Sequence, residues 1–146
     1  LLLAVHDMEL ARADDPVEAA QRDYVVQIRA AATAAEKIAL YAEALARVLP
    51  KAGPLLLSLH DAGRTDPECA AMYRRIVDRR AAHMRQFAAD LRATGELRTD
   101  LDDDAVADLV WSMNAPEYFR LLESRGFTPA RYAALVREVW SRTLLR

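Results

Sequence analysis

Arg80 is the residue of this sequence that most clearly needs a chemical partner. It lies in a stretch whose apolar side chains recur at helical spacing and form one face, namely Cys69, Tyr73, Ile76, Met84, Phe87 and Leu91. Because an unpaired guanidinium is costly to bury, this position predicts contact with an anionic ligand group or a wet pocket. The alternatives are an internal salt bridge, or a stem that follows the apolar surface until its head reaches water.

Two polar residues and a set of apolar ones extend this candidate ligand-binding site. His83 lies one turn after Arg80, where it can contact a ligand or be a structurally satisfied histidine. Asn114 precedes Pro116, which frees a backbone carbonyl, so we expect its amide to bond the backbone, with a ligand contact as the alternative. The apolar candidates for a cavity between helices, which would otherwise be plain core, are Tyr41, Leu45, Met72, Ile76, Met84, Phe87 and Trp111.

Histidine, cysteine and serine can carry catalysis or bind metals, but their spacing in this sequence suits neither role. His6, His60 and His83 have no second histidine at helical ligand spacing, and the sequence holds no Glu-x-x-His pair. Ser58 and His60 are two residues apart on a predicted helix and point to different sides, while Cys69 and His83 are about 21 Å apart along another. We therefore predict a protein that is not an enzyme, with no catalytic residues, no metal and no cofactor.

Composition narrows the class of protein further. The 146 residues carry a net charge of -2, and the arginines between Arg74 and Arg85 are spread around their helix, so no basic footprint for nucleic acid is present. A single cysteine fits a reducing compartment, which favours the cytoplasm. No apolar run approaches the roughly 20 residues that span a bilayer, so we expect no membrane contact.

Helix signals predict an all-α antiparallel bundle of about six to seven helices in a single domain, 1–146. The opening LLLAVHDMELA is typical of a helix interior and suggests a connector from a missing upstream domain. A helix should run from Asp14 to Ala30, and a capping box at Thr33 and Glu36 should start the next. Prolines in the segment 50–54 predict a kink or break there, with a kinked continuation of the helix to His60 as the alternative.

The second half of the chain also contains clear signals for helix starts and ends. The segment 65–68 predicts the start of the longest helix, which should end at Thr94 before Gly95. Three aspartates, 102–104, precede a helix that Pro116 should bend and that continues to Arg125. Gly126 should close it, and Thr128-Pro129 should open the last helix.

The order of these parts resembles the closing segment of TetR-family transcriptional regulators. The matching stretches are the apolar-Trp segment from Leu109 to Trp111, the run from Asn114 to Leu122, and the Arg-Gly-aromatic-Thr-Pro run from Arg125 to Pro129. The segment 65–68, the arginine-rich helix after it and the opening eleven residues also resemble the family. The family's N-terminal helix-turn-helix is not found in this chain.

The resemblance implies a ligand-binding and dimerisation domain. A small apolar or amphipathic effector would occupy the bundle cavity and change the binding of operator DNA, which only the missing N-terminal domain would contact. The last two helical segments would pair with their copies in a homodimer through Val106, Val110, Tyr118, Leu121, Tyr132, Val136, Val139, Trp140 and Leu144. The alternative is a helical protein-interaction module without a small-molecule ligand, and an enzyme is a third, less supported choice.

Overall fold

A computed structural model describes residues 23–146 of the chain, and this part is built from helices alone. They are α1 (Asp23–Ala30), α2 (Ala34–Ala62), α3 (Pro67–Ala93), α4 (Asp103–Met113), α5 (Pro116–Glu123) and α6 (Pro129–Leu144). The predicted all-α bundle is thereby confirmed. The predicted opening helix and the helix start at Asp14 lie outside the described residues, and a single domain over 1–146 stays a prediction.

α2 begins where local chemistry predicts and continues past its two prolines. The Thr33 hydroxyl accepts a hydrogen bond from the Glu36 amide at 3.2 Å, and the Glu36 carboxylate accepts one from the Thr33 amide at 3.2 Å. The helix then passes through Pro50 and Pro54 to Ala62, so no break occurs and the helix continues, which was the alternative. Because α2 packs against α1, α3, α5 and α6, burial on several sides offsets the hydrogen bonds that the prolines remove.

α3 also follows its sequence signals. The Asp66 side chain accepts hydrogen bonds from the amides of Glu68 and Cys69, and the chain leaves the helix through Gly95 at a positive φ of 78°. With 27 residues α3 is shorter than α2, which has 29, so the expectation that it is the longest helix is wrong. A four-residue connection joins α2 to α3, and the two helices pack together as a hairpin.

The C-terminal helices are capped by side chains and turned by proline and glycine. The Asp102 side chain accepts from the Ala105 amide at 2.8 Å, and the Thr128 hydroxyl accepts from the Arg131 amide at 3.2 Å. Pro116 does not bend one helix; it occupies the first turn of a separate one, α5. The chain leaves α5 through Gly126, which has a positive φ of 85°.

Most of the core surrounds α2. α6 contributes Tyr132, Val136, Trp140 and Leu144, all without exposed surface, and α4 contributes Val106 and Val110. A smaller cluster of Leu56, Leu59, Cys69 and Ile76 fills the hairpin end of α2 and α3. Among the helices of residues 23–146, none is long and apolar enough to cross a membrane.

Candidate functional site

A cavity of about 230 Å³ lies between α1, α2 and α3 and reaches the junction of α4 and α5. Small side chains help to explain it, because Ala44 and Ala52 stand eight residues apart on the face of α2 that lines the space. The lining residues are Tyr24, Val25, Ile28, Arg29, Tyr41, Ala44, Leu45, Val48, Leu49, Ala52, Leu56, Arg80, His83, Met84, Gln86, Phe87, Asp90, Asn114 and Pro116.

Most of the residues chosen from the sequence are brought together here. Tyr41, Leu45, Arg80, His83, Met84, Phe87 and Asn114 all line the cavity. Three others do not: Ile76 belongs to the small hairpin cluster, Met72 packs against that cluster, and Trp111 lies behind Arg80. Ligand contact stays a prediction for these three. The apolar face of α3 serves two separate packing regions, which accounts for Ile76 and Met72, whereas Trp111 lies on α4.

Asn114 organises the polar end of the cavity. Only 4% of its surface is exposed, and its Oδ1 accepts a hydrogen bond from Arg80 Nη2 at 2.7 Å. Its Nδ2 donates to the Tyr41 hydroxyl at 2.9 Å and to Met84 Sδ at 2.8 Å. Because a guanidinium only donates, Arg80 fixes which way the amide faces. Asn114 thus bonds side chains from two other helices, and the expected bond to the backbone was wrong.

The Arg80 guanidinium is held without a carboxylate. Its CZ atom lies 4.4 Å from the centre of the Trp111 ring, a cation–π contact, and Nη2 donates to Asn114. Within residues 23–146 no acidic group forms an ion pair with it. The internal salt bridge considered from the sequence is therefore not formed by this part of the chain, and the remaining side of the guanidinium belongs to the cavity wall.

Tyr41 links the polar end to the aromatic wall. Its ring lies 4.8 Å from that of Phe87 and stacks on that of Trp140 at 5.7 Å between centroids. Burial raises the pKa of Tyr41 to about 12, although the hydrogen bond from Asn114 opposes that change. The phenol is therefore protonated at neutral pH and can donate its own hydrogen.

Sequence reasoning missed the wall that α1 supplies and the small residues of α2. Tyr24, Val25 and Ile28 line the cavity from α1. Val25 and Ile28 follow Tyr24 by one and four residues, a helical spacing that could have identified them. Ala44 and Ala52 could have been found as gaps in the apolar stripe that contains Tyr41 and Leu45. The alanines create the space, whereas the large residues of the stripe only border it.

The far side of the cavity is polar but less organised. Gln86 Nε2 donates to Asp90 Oδ1 at 3.0 Å, and both residues lie on α3. Arg29 of α1 and His83 of α3 also line the cavity, and His83 lies one helical turn from Arg80. Asp90 follows Arg80 by ten residues, or about 15 Å along the helix, so the two charges lie at different ends of the site.

The proposed dimer contacts divide into core and surface. Six of them have no exposed surface within the protomer: Val106, Val110, Tyr132, Val136, Trp140 and Leu144. α4 and α6 bury these faces against α3 and α2, and contact of these six residues with a partner stays a prediction. Leu121 is 64% exposed, and Tyr118 and Val139 are partly buried, so these three keep surface for a partner.

Groups suited to metal binding do not gather in the described part of the chain. Residues 23–146 hold no cluster of three or more histidine, cysteine, aspartate or glutamate side chains placed for a metal ion. Cys69 is buried in the hairpin cluster, and the exposed His60 ring packs against Tyr73 at 4.7 Å.

Comparison with known proteins identifies the family. Neither the curated proteins nor the solved structures give a significant match. A family model described as "Tetracyclin repressor-like, C-terminal domain" matches residues 35–139, which include α3, α4, α5 and most of α2 and α6. Since this match covers well over half of the sequence, the chain belongs to the tetracyclin repressor-like C-terminal domain family.

Proposed function

We propose that this chain is the effector-binding and dimerisation domain of a TetR-type transcriptional regulator, acting as part of a repressor in the cytoplasm. The observation that carries the proposal is the cavity of about 230 Å³ inside a chain of this family. Its wall is mainly apolar, and its polar groups converge at one end, which is the usual build of a small-molecule site. The proposal includes no catalytic activity and no cofactor.

The proposed mechanism is a shift between two arrangements of the molecule. An effector in the cavity would contact α1, α2 and α3 together with Asn114 and Pro116. If it fits one arrangement of these helices better than another, that difference in affinity biases the population. A helix-turn-helix outside this chain would then meet operator DNA in a changed geometry, so effector and operator affinities would be coupled.

Dimerisation belongs to the same proposal. An isologous interface would form from the surfaces of α5 and α6 that the protomer core leaves available. Of the predicted contacts, Tyr118, Leu121 and Val139 supply apolar surface there. In a dimer of two such subunits, binding of the effector would change the distance between the two DNA-binding regions.

Toluene uptake tests the cavity directly. An apolar cavity of about 150 Å³ binds benzene, so the larger space should take up toluene in a saturable way, measured by ligand-observed NMR and by the rise in Tm. Ala44 is 2% exposed and lines the space, so Ala44→Phe should remove most of the uptake. Ala35→Phe, at an exposed position of the same helix, is the matched control and should bind toluene like the unmodified chain.

The alternative is a helical protein-interaction module that binds no small molecule. It predicts that toluene leaves the Tm and the NMR spectra unchanged in all three proteins. Saturable uptake that Ala44→Phe fails to reduce would also count against the cavity, because binding would then occur elsewhere.

A further inference from the structure

The polar end of the cavity offers hydrogen-bond donors, and its acceptors already have partners. Asn114 Oδ1 already accepts from Arg80, and the Tyr41 hydroxyl oxygen already accepts from Asn114. The Tyr41 hydrogen is left with Met84 Sδ at 3.6 Å, and sulfur is a weak acceptor. The donors of Arg80 and Tyr41 therefore favour a ligand that accepts hydrogen bonds.

Charge makes the requirement more specific. Arg80 is the cation at this end, and no carboxylate of residues 23–146 pairs with it. Asp90, which is the acidic residue of the lining, lies about 15 Å further along α3. A guanidinium in a partly apolar wall binds a carboxylate through short, charge-assisted hydrogen bonds that are stronger than those to a neutral acceptor.

Arg80 is also held in place before any ligand arrives. The Trp111 ring supports its flat face at 4.4 Å, and Asn114 holds Nη2 at 2.7 Å. A long side chain that is already fixed loses less conformational entropy when it binds, so its donors are worth more to a ligand.

The rest of the cavity sets the size and character of the ligand. Its volume of about 230 Å³ exceeds the roughly 150 Å³ that accommodates benzene, leaving room for one ring and a short polar group. The rings of Tyr41 and Phe87 and the side chains of Leu45 and Leu49 form apolar wall next to the polar end. Aromatic neighbours favour a flat ring through edge and face contacts.

We propose that the effector is a small aromatic monocarboxylate, with its carboxylate paired to Arg80 and the Tyr41 hydroxyl and its ring between α2 and α3. The inference rests on the proposed function, since it assigns the ligand class of the same cavity. Asn114 and Trp111 act as positioning residues that hold Arg80 for the anion.

Matched compounds test the charge requirement on the unmodified chain. Benzoate, phenylacetate and 3-phenylpropionate would be compared by isothermal titration calorimetry with their neutral amides and with benzylamine. At least one acid should bind about 10-fold more tightly than its own amide, because a charged acceptor gains more from the guanidinium than a neutral one. Benzylamine should bind more weakly than the acids.

Two arginine variants locate the effect. Arg80→Gln should weaken binding of the best acid by about 10- to 100-fold and leave amide and toluene binding nearly unchanged. Arg75→Gln is the matched control, because Arg75 is exposed on α3 and does not line the cavity. Tyr41→Phe provides a second variant with a smaller expected loss for the acid.

The outcomes separate this inference from the proposed function. If toluene binds in the cavity but no acid exceeds its amide, the anionic ligand is wrong while the effector cavity stands. If acids bind equally to the unmodified chain and to Arg80→Gln, the role of Arg80 is wrong. If neither toluene nor any acid binds, both proposals fail together.

Discussion

Asn114 connects helices that are far apart in the sequence. Its amide joins Arg80 and Met84 of α3 to Tyr41 of α2, and it stands between α4 and α5. The sequence identified these residues as candidates because each lies on an apolar helical face or beside a proline. It did not predict which of them bond each other, since such contacts depend on how the helices pack.

Replacing Asn114 by leucine should destabilise the fold as well as loosen the cavity. The change leaves the Arg80 donor and the Tyr41 hydroxyl without their partner, which costs about 1–3 kcal/mol for buried polar groups. Urea denaturation followed by circular dichroism measures the free energy of unfolding. Ser112→Ala at an exposed neighbouring position is the control and should change it by less than about 0.5 kcal/mol. If both substitutions change the free energy of unfolding equally, the hydrogen bonds of Asn114 do not stabilise the fold.

Tyrosine ionisation should limit stability at alkaline pH. Burial raises the pKa of Tyr41 to about 12 and that of Tyr132 further, whereas both titrate near 10 when the chain unfolds. The folded state thus holds these protons more tightly, so the stabilisation is complete below pH 10 and is lost as the pH rises. Between pH 10 and 12 each tyrosine should contribute a slope of up to about 1.4 kcal/mol per pH unit.

Urea titrations at pH 9, 10 and 11 measure that slope. Tyr41→Phe should make it shallower, while the exposed-face control Ala35→Ser should not. An unchanged slope in Tyr41→Phe would mean that the folded phenol titrates normally. The comparison between variants removes the contribution of lysines, which ionise in the same range.

At the scale of elements, the boundaries that were predicted correctly are those that local chemistry decides. Side-chain caps at Thr33, Asp66, Asp102 and Thr128 begin α2, α3, α4 and α6, as expected from the residue types alone. A helix that continues through Pro50 was only the alternative to a kink or break, since packing of α2 against four other helices outweighs the local preference of proline. Pro116 was assigned a bend, and the chain instead uses it to start a helix.

Lys37 fastens α1 to α2 and thereby builds one wall of the cavity. Its side chain is only 5% exposed, and Nζ donates to the carbonyls of Ile28 at 2.7 Å and Arg29 at 3.0 Å. These carbonyls lie at the C-terminal end of α1, where a cation is favourable for the helix dipole. The contact joins an eight-residue helix, which is too short to be stable alone, to the longest helix of the described part.

Lys37→Met should therefore release α1 while the rest of the bundle stays folded. We expect a loss of about 1–3 kcal/mol in unfolding free energy, faster amide hydrogen exchange across residues 24–30, and weaker toluene binding. Lys51→Met, at an exposed position of the same helix, is the matched control. Full exchange protection of α1 in Lys37→Met would show that apolar packing alone holds it.

At the scale of the whole molecule, the sequence could not assign each apolar stripe to a core or to a partner. The stripe of α6 repeats every four residues through Tyr132, Val136, Trp140 and Leu144, and all four are buried within the protomer. Hydrophobic spacing shows only that a face avoids water. Which surface covers it depends on the tertiary arrangement, and within the described protomer α2 covers the stripe that was predicted for the dimer face.

Leu121 is the better probe of the proposed dimer. It is 64% exposed on α5, and a charge placed there would be buried without a partner if two subunits met at this surface. Leu121→Arg should therefore convert a dimer into a monomer in sedimentation equilibrium, and the variant should keep a helical circular dichroism spectrum. Its Tm should lie within a few degrees of that of the unmodified chain diluted until it is monomeric. Val26→Arg is the control, because Val26 is also exposed, at 54%, but lies on α1 away from this surface.

Trp140→Arg should instead unfold the protein, since a charge would enter its core. A chain that is monomeric before any substitution, or a dimer that Leu121→Arg leaves intact, would place the partner surface elsewhere. If Leu121→Arg alone lowers the mass, the face of α5 holds two subunits together while the buried stripe of α6 stabilises each subunit separately.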